Sequence, residues 1–269
     1  MGSLSIYARN KLLDHCFGNT PYVPVATVYL ALCTAEVLAT QDGSTIAEAN
    51  YTSYTRKAIT FAAASLLNRN ITQTGAISFP KSTGGNITVT HYAILDSVTI
   101  GAGNLLGYGA LSVAKNIVTN NTPSVPDAEC VITSAATGGV SNYAVQKMLD
   151  FMFRNQAFIQ PTLYCGLATA TIANTDTGST ITEVTGTDYS RTTSLSFGAA
   201  SSASLANDAD FSLGTAGTGG WGTITSGFVV DAPTAGNLLF YDNDNIEDQL
   251  VSEGDPVSIP TGNFTATLS

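Results

Sequence analysis

The sequence predicts a mainly β chain made of two tandem β-sandwich-like domains, each opened by a short N-terminal α-helix. Three observations carry that expectation. First, YARNKLLDHCFGN (Tyr7 to Asn19) recurs as YAVQKMLDFMFRN (Tyr143 to Asn155), 136 residues downstream. Second, both stretches carry an apolar stripe at helical period. Third, most of the remainder consists of short β-branched and aromatic runs separated by Gly, Asn and Pro signals, the pattern of strand and turn.

The repeat continues in order. TVYLALCTA (Thr27 to Ala35) matches TLYCGLATA (Thr162 to Ala170), and GSTIAE (Gly43 to Glu48) matches GSTITE (Gly178 to Glu183). YTR (Tyr54 to Arg56) matches YSR (Tyr189 to Arg191). GGNITVTHYAILD (Gly84 to Asp96) lines up with GGWGTITSGFVVD (Gly219 to Asp231), and AGNLLGY (Ala102 to Tyr108) with AGNLLFY (Ala235 to Tyr241). Late in each copy Pro123 and Pro126 face Pro256 and Pro260. The period far exceeds the roughly 20–50 residues of a solenoid or propeller unit, and half the chain is a common domain size. The expected division is a first domain at 1–133, a linker at 134–139 in the small-residue run SAATGG, and a duplicate second domain at 140–269.

Each element follows from local chemistry. In the first helix Ala8, Leu12, Leu13, Cys16 and Phe17 form one stripe, with Ser5 placed as N-cap and Gly18 placed to end it. Ala144, Met148, Leu149, Met152 and Phe153 repeat the stripe after Ser141. ATVYLALCT then reads as a strand, with Val28, Leu30 and Leu32 on one face and Tyr29 and Ala31 on the other. NITVTHYAIL and GTITSGFVV are strand-like, GNLLGYGAL and GNLLFY start at Gly-Asn turns, and DAECVIT and GNFTATLS close the copies by alternation. About six or seven short strands per copy point to a sandwich or flattened barrel.

Composition narrows the function. Charged residues make up 11% of the chain, under half the roughly 25% of an average soluble domain. That leaves a polar, weakly charged surface suited to extended contact. The net charge of −10, with no basic cluster to override it, argues against nucleic acid as a partner, because phosphate binding draws on Lys and Arg. It disfavours an anionic membrane surface in the same way. No secretory signal and no apolar run of the roughly 18–20 residues of a membrane span are expected. Cys16, Cys33, Cys130 and Cys165 do not occupy equivalent positions in the copies, so they read as free buried thiols made in a reducing cytosol.

Candidate chemistry is sparse. The two histidines, His15 and His91, have Phe151 and Ser226 as equivalents, and neither has a partner at metal-ligand spacing. In YDNDNIED (Tyr241 to Asp248), Asp242 and Asp244 offer hard oxygen donors. An EF-hand-like loop needs Gly at its sixth position, however, and counting from Asp242 that position is Glu247, with Glu253 at the twelfth. The stretch reads as a solvated loop. Arg56 and Arg191 are the best repeat-specific polar residues. Each is expected to fold over Tyr54 or Tyr189 and pair with a carboxylate, the candidates being Asp14 and Asp150 or Asp96 and Asp231. GTAGTGGWG (Gly214 to Gly222) reads as a hairpin loop plugged by Trp221. With no nucleophile elbow, P-loop or dinucleotide fingerprint, the expectation is no enzyme, no catalytic residue, no metal and no cofactor.

The order of blocks, from YARNKLLDHCFGNTPY through PVATVYLALCTA and YTRKAITF to GTITSGFVVDAPTAGNLLFY, resembles a domain of tailed-bacteriophage structural proteins of tail-fibre-like type. The second copy keeps Trp221-Gly222-Thr223 where the first has Asn86-Ile87-Thr88, and Cys165 and Gly166 depart from the first copy's pattern. The resemblance implies a virion component assembled in the host cytoplasm. A compact pair of weakly charged domains without collagen-like or heptad shafts leads to the expectation of a capsid decoration (cement) protein. It would bind the major capsid protein on the outer surface of the head, stabilise it, and assemble as a small homo-oligomer such as a trimer. The alternative is a tail fibre or tail-tip receptor-binding protein contacting tail proteins, with Tyr22, Tyr51 and Trp221 as exposed aromatics. A glycan-active or calcium-dependent enzyme using Asp242 and Asp244 is the reading from a third class. The duplicated helix is the element expected either to dock one domain on its neighbour or to cap its own core.

Overall fold

The computed structural model describes residues 2–246 and 248–269. The chain is mainly β, with eighteen strands and two helices among the described residues, arranged in several small sheets. It forms two compact units. One comprises Met1–Arg9, Val23–Ser134 and Gln146–Phe158; the other comprises Asn10–Tyr22, Ala135–Val145 and Ile159–Ser269.

Helix α1 runs Ile6–Cys16 and helix α2 runs Asn142–Arg154. Their starts are set by the expected serines: the Ala8 amide donates to Ser5 Oγ at 3.0 Å, and the Ala144 amide to Ser141 Oγ at 3.1 Å. Each hydroxyl in turn donates to a strand carbonyl, Leu105 for Ser5 and Leu238 for Ser141. One side chain therefore fixes both the helix start and its seat on a strand. At the other end Gly18 (φ 87°) and Asn155 (φ 51°) take the left-handed conformation that ends a helix. Every residue of both apolar stripes is buried.

In the first unit five antiparallel strands lie in the order Ser3–Leu4, Leu105–Ile117, Ile87–Leu95, Val28–Cys33 and Lys57–Ile59. Strand Val28–Cys33 has five of its six residues buried, so both faces are covered rather than one. In the second unit the corresponding sheet has strands Tyr164–Ala168, Ser226–Val230 and Leu238–Asp242. The register repeats: Tyr29 opposes Leu95 as Tyr164 opposes Val230. GTITSGFVV, read as one strand, is split at Thr225, whose amide turns to the Ala168 carbonyl.

The core repeats position by position. Cys33, Val37, Ile46, Ala93, Leu95 and Leu105 cluster in the first unit, and Ala168, Ile172, Ile181, Phe228, Val230 and Leu238 take their places in the second. The Gly166 departure has a steric cause. Ala31 opposes Ala93 in the first copy, whereas Gly166 opposes Phe228 in the second. A Cβ on Gly166 would lie 2.4 Å from the Phe228 ring. The second copy has moved volume across the pair, in keeping with the close packing of interiors.

All four cysteines are buried and free. Burial pushes the Cys16 and Cys33 thiols up to about 12, with Asp231 and Glu48 respectively adding to it. Burial likewise raises Cys130 and Cys165. Among the described residues no helix is long and apolar enough to cross a membrane.

Candidate functional site

The polar feature that both copies build identically is a clamp of Tyr, Arg and Glu. In the first copy Arg56 Nε donates to Glu48 Oε1 at 2.9 Å, and Nη2 to Glu48 Oε2 at 2.7 Å. Nη1 donates to the carbonyls of Ser97 and Ala102, both at 2.8 Å, and Nη2 also reaches the Gly43 carbonyl at 3.4 Å. A guanidinium has five N–H donors, and all five are engaged. Tyr54 completes the set: its hydroxyl donates to Glu48 Oε1 at 2.9 Å and accepts the Leu32 amide at 3.0 Å.

The second copy reproduces the geometry. Arg191 Nε and Nη2 meet Glu183 at 2.9 and 2.7 Å, Nη1 meets the Ala232 and Ala235 carbonyls at 2.9 and 2.8 Å, and Nη2 meets Gly178 at 3.2 Å. Tyr189 donates to Glu183 at 2.9 Å and accepts from the Leu167 amide at 2.8 Å. Arg191 also lies over the Phe228 ring at 5.2 Å, a contact the first copy's Ala93 does not offer. Burial holds both tyrosine hydroxyls well above their ordinary pKa, with the neighbouring glutamate adding in each copy.

Each arginine does pair with a carboxylate, as expected, but it shares that carboxylate with its tyrosine rather than lying over the ring, and the partner differs from the candidates. It is Glu48 or Glu183, the last residue of the duplicated GSTI(A/T)E block. Asp96 and Asp231 instead close their own hairpin turns: Asp96 accepts the Asn104 amide and side chain, both at 2.6 Å, and Asp231 accepts those of Asn237, both at 2.7 Å. Asp14 and Asp150 accept backbone amides, of Ala200 at 2.7 Å and Ala64 at 2.9 Å. The repetition of GSTI(A/T)E itself was the signal for the glutamates.

The clamps act on loops. Arg56 ties the hairpin tip at 97–102 to the loop at Gly43, and Val98 and Ile100 on that tip are 52% and 50% exposed. A loop held at both ends by a rigid scaffold is a presentable surface. Val23 (83% exposed) and Ile159 (86%) form a second repeated apolar feature, one in each copy after its helix.

The other candidates resolve as structure. His15 is buried, and its Nδ1 accepts the Tyr22 amide at 3.1 Å; the equivalent Phe151 meets Phe158 edge-on at 6.1 Å. His91 Nδ1 lies 2.8 Å from Thr90 Oγ1. Asp242 is buried, contrary to a solvated loop: Oδ1 accepts the amides of Asp244 and Asn245 at 3.0 Å each, and Oδ2 accepts Asn245 Nδ2 at 2.8 Å. Asp244 is exposed, and Glu247 lies outside the described residues. Beside this loop is a cleft of about 460 Å³ lined by residues 136–139, 241–245, Thr265 and Thr267. Among the described residues no group of three His, Cys, Asp or Glu is placed to hold a metal ion.

Tyr51 and Trp221 are not the exposed aromatics expected. Tyr51 donates to the Pro80 carbonyl at 3.0 Å and meets Tyr54 edge-on, whereas Trp221 donates from Nε1 to the Thr187 carbonyl at 2.9 Å and stands edge-on to Tyr189. Both rings support the clamp tyrosine, and Tyr22 is half-buried.

No curated protein matches the chain. A family model described as Podophage GP4 fiber I protein gp80 matches it twice, over residues 3–133 and 139–267. Since the two matches together span nearly the whole sequence, and each takes in one complete helix-and-sheet copy with its clamp, the chain belongs to this phage fibre family and is a virion structural protein with its domain duplicated.

Proposed function

We propose that the protein is a non-enzymatic component of a phage tail fibre or tail tip, contacting neighbouring tail proteins and presenting loops to the host surface. The observation that carries this reading is the fibre-family match over the full length of both copies. That match lends no specific support to a capsid decoration role, so the fibre alternative takes precedence over the head-binding expectation. The clamped hairpin tip with Val98 and Ile100 exposed supports it, because such a loop offers apolar contact area without ordering cost on binding. Partners of this kind need neither nucleic acid nor membrane.

The test is a comparison of two attachments. Labelled protein is mixed with host cells and, separately, with heads that lack it. Saturable attachment to cells and none to heads is the expected result. Saturable attachment to heads, with a rise in their rupture temperature, would return the protein to the decoration class.

A further inference from the structure

The C-terminal half of each helix belongs to the unit that holds the other copy's strands: Asn10–Tyr22 sits with Ile159–Ser269, and Gln146–Phe158 with Val23–Ser134. The contacts are reciprocal. Asn10 Oδ1 accepts the Ala203 amide at 2.8 Å, Asp14 Oδ1 the Ala200 amide at 2.7 Å, and Asn19 Nδ2 donates to the Gly198 carbonyl at 2.7 Å. Phe17 stands edge-on to Phe197, with ring centres 5.0 Å apart. In the other direction Gln146 Nε2 donates to the Ala64 carbonyl at 3.0 Å, Asp150 Oδ1 accepts the Ala64 amide at 2.9 Å, and Phe153 meets Phe61 at 5.2 Å. Asp14 and Asp150 are repeat equivalents, and so are Ala200 and Ala64. The same acid therefore meets the same alanine of the opposite copy, twice.

We propose that the two copies are a fused exchange dimer. The segment at 61–65 in one copy and 197–203 in the other is a docking surface whose occupant is the helix end of a second copy of this domain, and the connector at 134–139 is not what holds the copies together. Three arguments point to that occupant. Each seated helix end buries its apolar residues, Leu12, Leu13, Cys16 and Phe17 in one and Met148, Leu149, Met152 and Phe153 in the other; its polar residues meet backbone amides and carbonyls of the other copy; and the pair is closed, each copy giving one helix end and receiving one. Ala135, Ala136 and Thr137 of the connector are exposed, whereas the apolar residues of both helix ends are buried and the polar residues that bond the other copy are half-buried.

The test uses the full chain with a protease recognition sequence inserted between Ala135 and Ala136. After cleavage, native mass spectrometry and gel filtration are expected to show one species of intact mass. Two half-mass species, or loss of the fragments to aggregate, would overturn the proposal. Asp14→Ala and Asp150→Ala in the cleaved protein are expected to weaken fragment association by about tenfold each; unchanged association would also overturn it. As a check independent of affinity, Asn10→Cys with Ala203→Cys should join the two fragments in one band on a non-reducing gel. Two bands would count against the exchange.

Discussion

Arg56 shows how much one side chain organises here. Its side chain is fully buried and its partner Glu48 is 6% exposed. Arg56→Ala leaves the buried Glu48 carboxylate without its cation, with only the Tyr54 hydroxyl still donating to it, and strips a donor from three carbonyls, so we expect a loss of roughly 3–5 kcal/mol in urea denaturation. Arg191→Ala should cost less, because Glu183 is 22% exposed and water can replace part of what is lost. Equal losses would contradict the clamp account. The Gly166–Phe228 pair makes a second case. Gly166→Ala is expected to cost about 1–3 kcal/mol by overpacking and Phe228→Ala about 3–5 kcal/mol. The double variant recreates the Ala–Ala pair of the first copy and should cost clearly less than the sum. The thiols set a pH dependence. Cys16 and Cys33 are raised from 9.0 to about 12 in the folded chain, so the unfolded chain ionises first. Their contribution is full below about pH 9 and is lost as the pH climbs toward 12. Tm should fall across that window, and Cys16→Ala with Cys33→Ala should flatten the fall. At this scale the arginine was legible in the sequence and its partner was not. Several duplicated acids compete for the role, and only the fold shows that Asp96 and Asp231 are committed to Asn104 and Asn237.

Helices and strands were the most legible elements, because their signals are local. Stripe, N-cap and stop were all readable for α1, and Ser5→Ala should cost about 1–2 kcal/mol, since the hydroxyl also seats the helix on the Leu105 carbonyl. Ser141→Ala should match it; a negligible change at both would contradict the capping geometry. Burial of strand Val28–Cys33 on both faces was not legible, as alternation along one strand does not show what lies over each face. The seat of each helix end was hidden for a sharper reason. In a duplicated sequence Asp14 has two equivalent targets, Ala64 and Ala200, and identical local chemistry gives no ground for choosing between them. Only the three-dimensional arrangement distinguishes a helix that serves its own copy from one that serves the other.

For the molecule as a whole, duplication was the clearest signal; the order of sequence blocks gave the resemblance to phage structural proteins, and the family match over both copies shows that family. Position on the particle is a different matter, since it is set by a partner surface that leaves no spacing or motif in the sequence. Weak charge and compact domains suit a head lattice and a tail fibre equally, and the fibre-family match is what supports the proposed tail reading. The most direct measurement is the copy number of this protein in purified particles relative to the major capsid subunit. The fibre account expects a handful of copies per particle. A number comparable to the capsid subunit would contradict it and return the protein to the surface of the head.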